Sequence, residues 1–228
     1  YGTEKVTCEK AHGTLTLKTA LANSCNCSFA QIAELVGKKN MIKYVEQFGV
    51  TDSLSFDGVT TAEGNYDISN TAPVSFAWSC IGQHTDLINP ARYMTFMGAI
   101  AGGGVGAEPY LVSEVRSGEE LTYEAKTKTT GRIMSQDVAD RVRAYMRNNV
   151  QSVYGDWNFN GMNVCAKSGT SQLGGGQKSN AMFAGFVEDE QYPLAFIVVV
   201  ENGGYGSATC VPVLSKVLAA CKSVLDGE

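Results

Sequence analysis

Residues 163–200 constrain the fold more than any other part of the chain, because three strand-like runs follow one another there with almost nothing between them. Asn163 to Ser171 reads as one strand. Ala181 to Glu188 sets Met182, Ala184 and Phe186 against Phe183, Gly185 and Val187, and such alternation puts successive side chains on opposite faces of a strand. Leu194 to Val200 is continuously apolar, which predicts a central strand covered on both faces. Connections this short favour an antiparallel meander, since parallel pairing needs a long crossover. An amphipathic helix follows from about Val211 to Leu225, with Val213, Val217, Leu218, Cys221 and Leu225 on one side.

Helices dominate the region before this sheet. Thr14 or Thr16 caps a short helix that runs to Asn23. Phe29, Ile32, Ala33 and Val36 share one helical face, and Gly37 ends that helix. Asn40 caps the next, whose face carries Met41, Tyr44, Val45 and Phe48 before Gly49. Residues 50–75 read as loop. Asn89-Pro90 starts a helix with Asn at the cap and Pro in the first turn, and it ends at Gly102-Gly103-Gly104. Tyr110 to Arg116 pairs with Leu121-Thr122-Tyr123 across Ser117-Gly118. Ser135 caps a helix through Asn149. Helices, then strands, then a closing helix predict a mixed α/β chain of the α+β type, an antiparallel sheet flanked by helices. The 228 residues suit one domain, with a helical subregion at about 14–104 and sheet regions at about 108–125 and 160–228.

Charge narrows the partners. The net charge of −5 leaves no basic stripe to neutralise phosphates, so no nucleic acid is expected. The longest apolar run, Leu194 to Val200, is too short to cross a bilayer. The chain starts in mid-pattern at Tyr1, and the expectation is a piece of something longer. Seven cysteines occur without a pair of CxxC units. Cys25 and Cys27 flank one residue and should point apart on a regular element. The cysteines are therefore read as small buried hydrophobes, and no metal or other cofactor is expected. His12 and His84 are read as structural or surface residues, since no G-x-S-x-G elbow accompanies them.

Acyl chemistry without histidine needs a lysine near a hydroxyl, because a serine is a poor nucleophile without a base. Lys167-Ser168-Gly169-Thr170 offers a cation, two hydroxyls and a position where another backbone can approach. Ser24-Cys25-Asn26 offers polar side chains at the head of a helix. Taken singly, Ser24 and Asn26 are ordinary helix caps and Lys167 an ordinary strand-edge charge.

Jointly, these segments resemble the S-x-N and K-[ST]-G-T motifs of penicillin-binding protein transpeptidase domains. The likeness extends from His12-Gly13-Thr14-Leu15 through Ala20-Leu21-Ala22-Asn23 to Phe29-Ala30. It continues through Ile81-Gly82-Gln83, the Asn89-Pro90 helix, Ala101-Gly102-Gly103-Gly104 and Phe183-Ala184-Gly185-Phe186. The resemblance implies a transpeptidase or serine β-lactamase-like fold, incomplete at its N-terminal side. It implies that Ser24 relays protons, that Asn26 holds the substrate amide and the lysine beside the nucleophile, and that Lys167 supplies positive potential. Ser168 and Thr170 would bind a carboxylate, Gly169 would let substrate lie along the strand, and the Thr170 N–H would form half of an oxyanion hole. The implied ligands are D-Ala-D-Ala stem peptides of peptidoglycan and β-lactams. The implied location is the extracytoplasmic face of a bacterial plasma membrane, with an anchor upstream.

One departure matters. The family's nucleophile belongs to S-x-x-K, and this chain contains no Ser-x-x-Lys. Thr7-Cys8-Glu9-Lys10 matches the outline with threonine, but it lies close to Ser24 in a turn-like segment. The nucleophile is expected upstream of Tyr1, which makes this chain alone inactive and prone to self-association or dependent on a missing N-terminal segment. A β-lactam sensor domain, a serine β-lactamase and a D,D-carboxypeptidase are the rival readings on the same fold.

Overall fold

The computed structural model describes residues 1–227. Residues 1–16 are irregular. Helix α1 (Leu17–Ala22) follows, closed by a capping box in which the Thr16 and Thr19 hydroxyls each serve the other's backbone. Helix α2 (Asn26–Val36) and helix α3 (Lys38–Phe48) are separated by Gly37 alone. Gly37 has φ 76°, so the chain reverses there in a conformation that side-chain-bearing residues avoid. Asn40 lies inside α3 and not at its start, and its amide donates back to the Val36 carbonyl.

The region expected as loop between residues 50 and 75 holds a small hairpin, β1 (Ser55–Phe56) with β2 (Val59–Thr60), and runs into helix α4 (Pro73–Ser79). Helix α5 (Pro90–Ala101) starts as the sequence predicts. The Asn89 side chain accepts from the Ala91 and Arg92 N–H groups. Strand β3 (Val105–Ala107) pairs with strand β6 (Thr129–Arg132), flanking the hairpin of β4 (Glu114–Ser117) and β5 (Glu120–Glu124). That hairpin is exposed throughout, and its first strand begins at Glu114, four residues later than expected. Helix α6 (Gln136–Asn149) is capped by Ser135 and continues into a π-helical turn, Val150–Tyr154.

The principal sheet is the predicted antiparallel meander of β7 (Val164–Ser171), β8 (Asn180–Val187) and β9 (Ala195–Val200). Its order corrects the sequence reading. The central strand is β8, while the continuously apolar β9 lies at an edge. Coverage of the faces and rank in the sheet are separate properties. Phe196, Val198 and Val200 face one packed layer, and Ala195 and Ile197 face the other, so the run is apolar without being central.

Helix α7 (Gly206–Asp226) starts five residues before the predicted helix and carries Pro212 in its second turn. By length and composition it could cross a membrane. Here Cys210, Leu214 and Leu218 are buried against Val164, Ala166, Ala181 and Phe183, which makes it a cover for one sheet face. The opposite face packs Cys165, Ala184 and Phe186 against Met97 and Ile100 of α5 and Ala139 and Met146 of α6. Alternation along β7 thus sends Lys167 to the α5–α6 side and Ser168 to the α7 side. Contacts between α1 and α6 bring the segment after α1 to the Lys167 side.

Candidate active site

Ser24 stands between α1 and α2 with φ 48°, a left-handed conformation that is uncommon for a residue with a side chain. Its N–H donates to the Leu21 carbonyl, and the next N–H, of Cys25, donates to that of Ala20. These bonds tie off the end of α1 and swing the chain sharply into α2. The turn delivers the Ser24 hydroxyl to the Lys167 ammonium, whose Nζ donates to Ser24 Oγ at 2.6 Å. Nζ also donates to the Ser168 carbonyl at 2.7 Å. Two motifs far apart in sequence therefore meet at one hydrogen bond.

Lys167 is half-buried, and desolvation of its ammonium pushes its pKa down to about 8. A lysine in that range exchanges a proton near neutral pH far more readily than an ordinary one. Asn26 is half-buried in the first turn of α2. Its Nδ2 donates to the Thr7 carbonyl at 2.9 Å, so the irregular N-terminal segment braces it. Thr7 and Lys10 belong to no helix.

Ser168 and Thr170 occupy the other face of β7. The Ser168 hydroxyl pairs with the Tyr154 hydroxyl at 2.9 Å, and the Ser168 N–H donates to the same phenol oxygen at 3.0 Å. Burial pushes the Tyr154 phenol pKa up, so it stays protonated. Thr170 Oγ1 accepts from the Gly206 N–H at the head of α7 at 3.0 Å. Only Ser24 and Lys167, of the six residues singled out in the sequence, touch through their side chains. Asn26, Ser168 and Thr170 are each held by a supporting group.

Among the described residues strand β7 pairs with β8 alone, so its other edge is open. Several side chains address the carbonyls along that edge. Arg147 reaches Val164 O (3.2 Å), Asn149 reaches Ala166 O (3.1 Å) and Gln83 reaches Thr170 O (3.0 Å). In an antiparallel ladder a residue's N–H and C=O point the same way. The Thr170 N–H therefore faces the open edge beside Gln83. Gly169 lies between, with Met182 as its neighbour across the ladder.

Tyr154, Asn149 and Arg147 were missed in the sequence. Their segment has helical periodicity up to Asn149 and no motif after it. Tyr154 reaches Ser168 only because the chain widens into a π-helical turn before Gly155, a distortion without a periodic signature.

The family described as the penicillin binding protein transpeptidase domain matches residues 2–219. The chain is 24% identical over 224 residues to stage V sporulation protein D of Bacillus subtilis, taking in 91% of this chain and 34% of that protein. It is 24% identical over 220 residues to the peptidoglycan D,D-transpeptidase PbpA of Mycolicibacterium smegmatis, covering 91% of this chain and 44% of the other. Thus it spans about a third to under half the length of these relatives. Among solved structures, penicillin-binding protein A of Mycobacterium tuberculosis in a ceftriaxone acyl-enzyme complex superposes with TM-score 0.85 at 22% identity, covering 93% of this chain and 49% of that one. The D,D-transpeptidase domain of a peptidoglycan glycosyltransferase from Eggerthella lenta gives TM-score 0.81 at 22% identity, covering 96% and 55%. With the family match running over nearly its whole length and the fold shared, this chain belongs to the penicillin-binding protein transpeptidase domain family.

Proposed function

We propose that this chain forms two walls of the active site of a peptidoglycan D,D-transpeptidase, and that the acylated serine comes from a segment outside these 228 residues. The hydrogen bond from Lys167 Nζ to Ser24 Oγ carries this reading. It couples a hydroxyl to a lysine whose burial keeps its proton mobile. In the proposed reaction the nucleophilic serine attacks the carbonyl of the penultimate D-Ala of a stem peptide. Ser24 passes a proton between that serine and the leaving D-Ala amine, with Lys167 stabilising the oxygen that gives it up. The Thr170 N–H, aimed at the open edge, donates to the developing oxyanion. The stem peptide lies along the β7 edge at Gly169 as an added strand. The Ser168 and Thr170 hydroxyls receive the terminal carboxylate under the positive potential of Lys167, and Asn26 receives a substrate amide. An amine of a second stem then accepts the acyl group. β-Lactams acylate the same serine because they present a reactive carbonyl and a carboxylate in that arrangement.

The same reading puts the parent protein at the extracytoplasmic face of the plasma membrane, anchored by a segment outside this chain. Labelling with a fluorescent penicillin tests the whole. The 228-residue chain alone stays unlabelled, and a longer parent that supplies Ser-x-x-Lys is labelled. Stable labelling of the short chain overturns the division of the site between segments. In the labelled parent, Ser24→Ala slows acylation by about 10²–10⁴-fold, the usual share of a general acid–base group. An unchanged rate removes Ser24 from the relay.

A further inference from the structure

Cys8, His12, Cys25 and Cys27 converge beside the Ser24 turn, although the sequence reading set the cysteines apart. Cys25 is the cap residue of α2, with extended backbone (φ −75°, ψ 99°), while Cys27 lies in the first turn. A cap and a first-turn residue do not obey the spacing of a regular helix, so both sulfurs reach the N-terminal segment. Cys8 Sγ stands 3.7 Å from Cys25 Sγ and 3.5 Å from Cys27 Sγ. The ligand atoms of Cys8, His12 and Cys25 all lie within 4.8 Å of one another.

Zn²⁺ binds thiolates at about 2.3 Å in a tetrahedron, and the edge of that tetrahedron is about 3.8 Å. The two sulfur separations are close to that edge. They are far outside the roughly 2.05 Å of a disulfide bond. His12 Nδ1 is buried there with no hydrogen-bond partner. Buried polar atoms nearly always have one, so an orphan nitrogen aimed among thiols suits an ion. The Ser28 hydroxyl donates to Cys25 Sγ at 3.2 Å, and the Cys27 N–H donates to Cys8 Sγ at 3.5 Å. Such contacts orient ligands from outside the coordination sphere.

We propose that Cys8, His12, Cys25 and Cys27 form a structural zinc site that fixes the turn carrying Ser24. Cys27 Sγ, 3.5 Å from Cys8 Sγ and donating to the Val6 carbonyl at 3.5 Å, is the nearest further thiol and is assigned as the fourth ligand. Binding replaces each thiol proton by a bond to the metal and releases the protons to solvent. Cys25 is the middle residue between Ser24 and Asn26, and Thr7, which braces Asn26, precedes Cys8 directly. The ion would therefore clamp both polar residues of that motif to the N-terminal segment.

The test uses the 228-residue chain, reduced under anaerobic conditions, loaded with Zn²⁺ and freed of excess metal. Elemental analysis should find about one equivalent retained. Co²⁺ in place of zinc should give the visible bands of a tetrahedral, thiolate-ligated ion. Retention should fall to background in Cys8→Ser/Cys25→Ser and stay unchanged in Cys221→Ser, whose thiol lies on α7. If the double variant fails to fold, the cobalt spectrum of the unaltered chain still decides. The proposal is overturned if the reduced chain keeps no zinc, if cobalt shows only six-coordinate, oxygen-ligated bands, or if Cys8 and a neighbouring cysteine are recovered as a disulfide whose reduction restores no metal binding. None of these readouts depends on acyl transfer.

Discussion

Lys167 is half-buried, and desolvation of its ammonium makes a signed prediction. Its folded-state pKa of about 8 lies below the ordinary 10.5. The unfolded chain therefore holds this proton more tightly than the folded one, and stability attributable to Lys167 rises with pH between those values. Below pH 8 the folded chain carries the whole cost of a desolvated ammonium. Lys167→Met removes that cost, so its stability relative to wild type should be highest below pH 8 and fall as pH approaches 10.5. Paired denaturant titrations across that range check it, and a pH-independent difference would contradict it. Tyr154→Phe isolates a second local effect. It keeps the ring against Phe183 and deletes the oxygen that serves the Ser168 N–H and hydroxyl. Loss of about 1–3 kcal/mol in urea denaturation is expected from leaving those groups unpaired. Ser24 and Lys167 stood out in the sequence only through the ordered resemblance of their segments to two family motifs, and the hydrogen bond between them is what the structure adds. The Tyr154 partner was not legible, because a lone tyrosine after a helix has no pattern that says where it points.

Helix caps were the most legible elements. Thr16, Asn89 and Ser135 all cap where their side chains can meet free N–H groups. Asn89 also shows what a cap pattern conceals. It is almost fully buried, and its Nδ2 donates to Asp52 O, Thr61 Oγ1 and Ala62 O, which pins the β1–β2 loop region to α5. Asn89→Ala should cost about 2–4 kcal/mol, more than a surface cap, because it removes a nearly fully buried side chain that serves Asp52 O, Thr61 Oγ1 and Ala62 O as well as the helix donors. Thermal and chemical denaturation measure it. The junction of α7 with β7 makes a further prediction. A Cβ at Gly206 would collide with the Gly169 carbonyl and crowd that of Met182. Gly206→Ala should destabilise by about 1–3 kcal/mol and shift the amide NMR signals of residues 168–171, which lie at the proposed carboxylate site. Position within the sheet was the least legible property. Apolar content reports how many faces are covered, and β9 is covered on both while its outer edge is unpaired among the described residues.

An unpaired apolar edge governs how whole molecules meet. Val199 on β9 is 43% exposed beside backbone groups able to pair with another strand. The chain should associate with rising concentration in light scattering, and Val199→Lys should suppress this without lowering the denaturation midpoint much. Association that ignores the substitution would place the contact elsewhere.

The bond between Ser24 and Lys167 joins positions 143 residues apart. Closing so long a loop costs entropy that the rest of the fold has to offset. A ligand that bridges Ser24 and β7 binds only chains in which these two distant segments have met. At a hundredfold excess over its dissociation constant it would hold them there by about 2.7 kcal/mol.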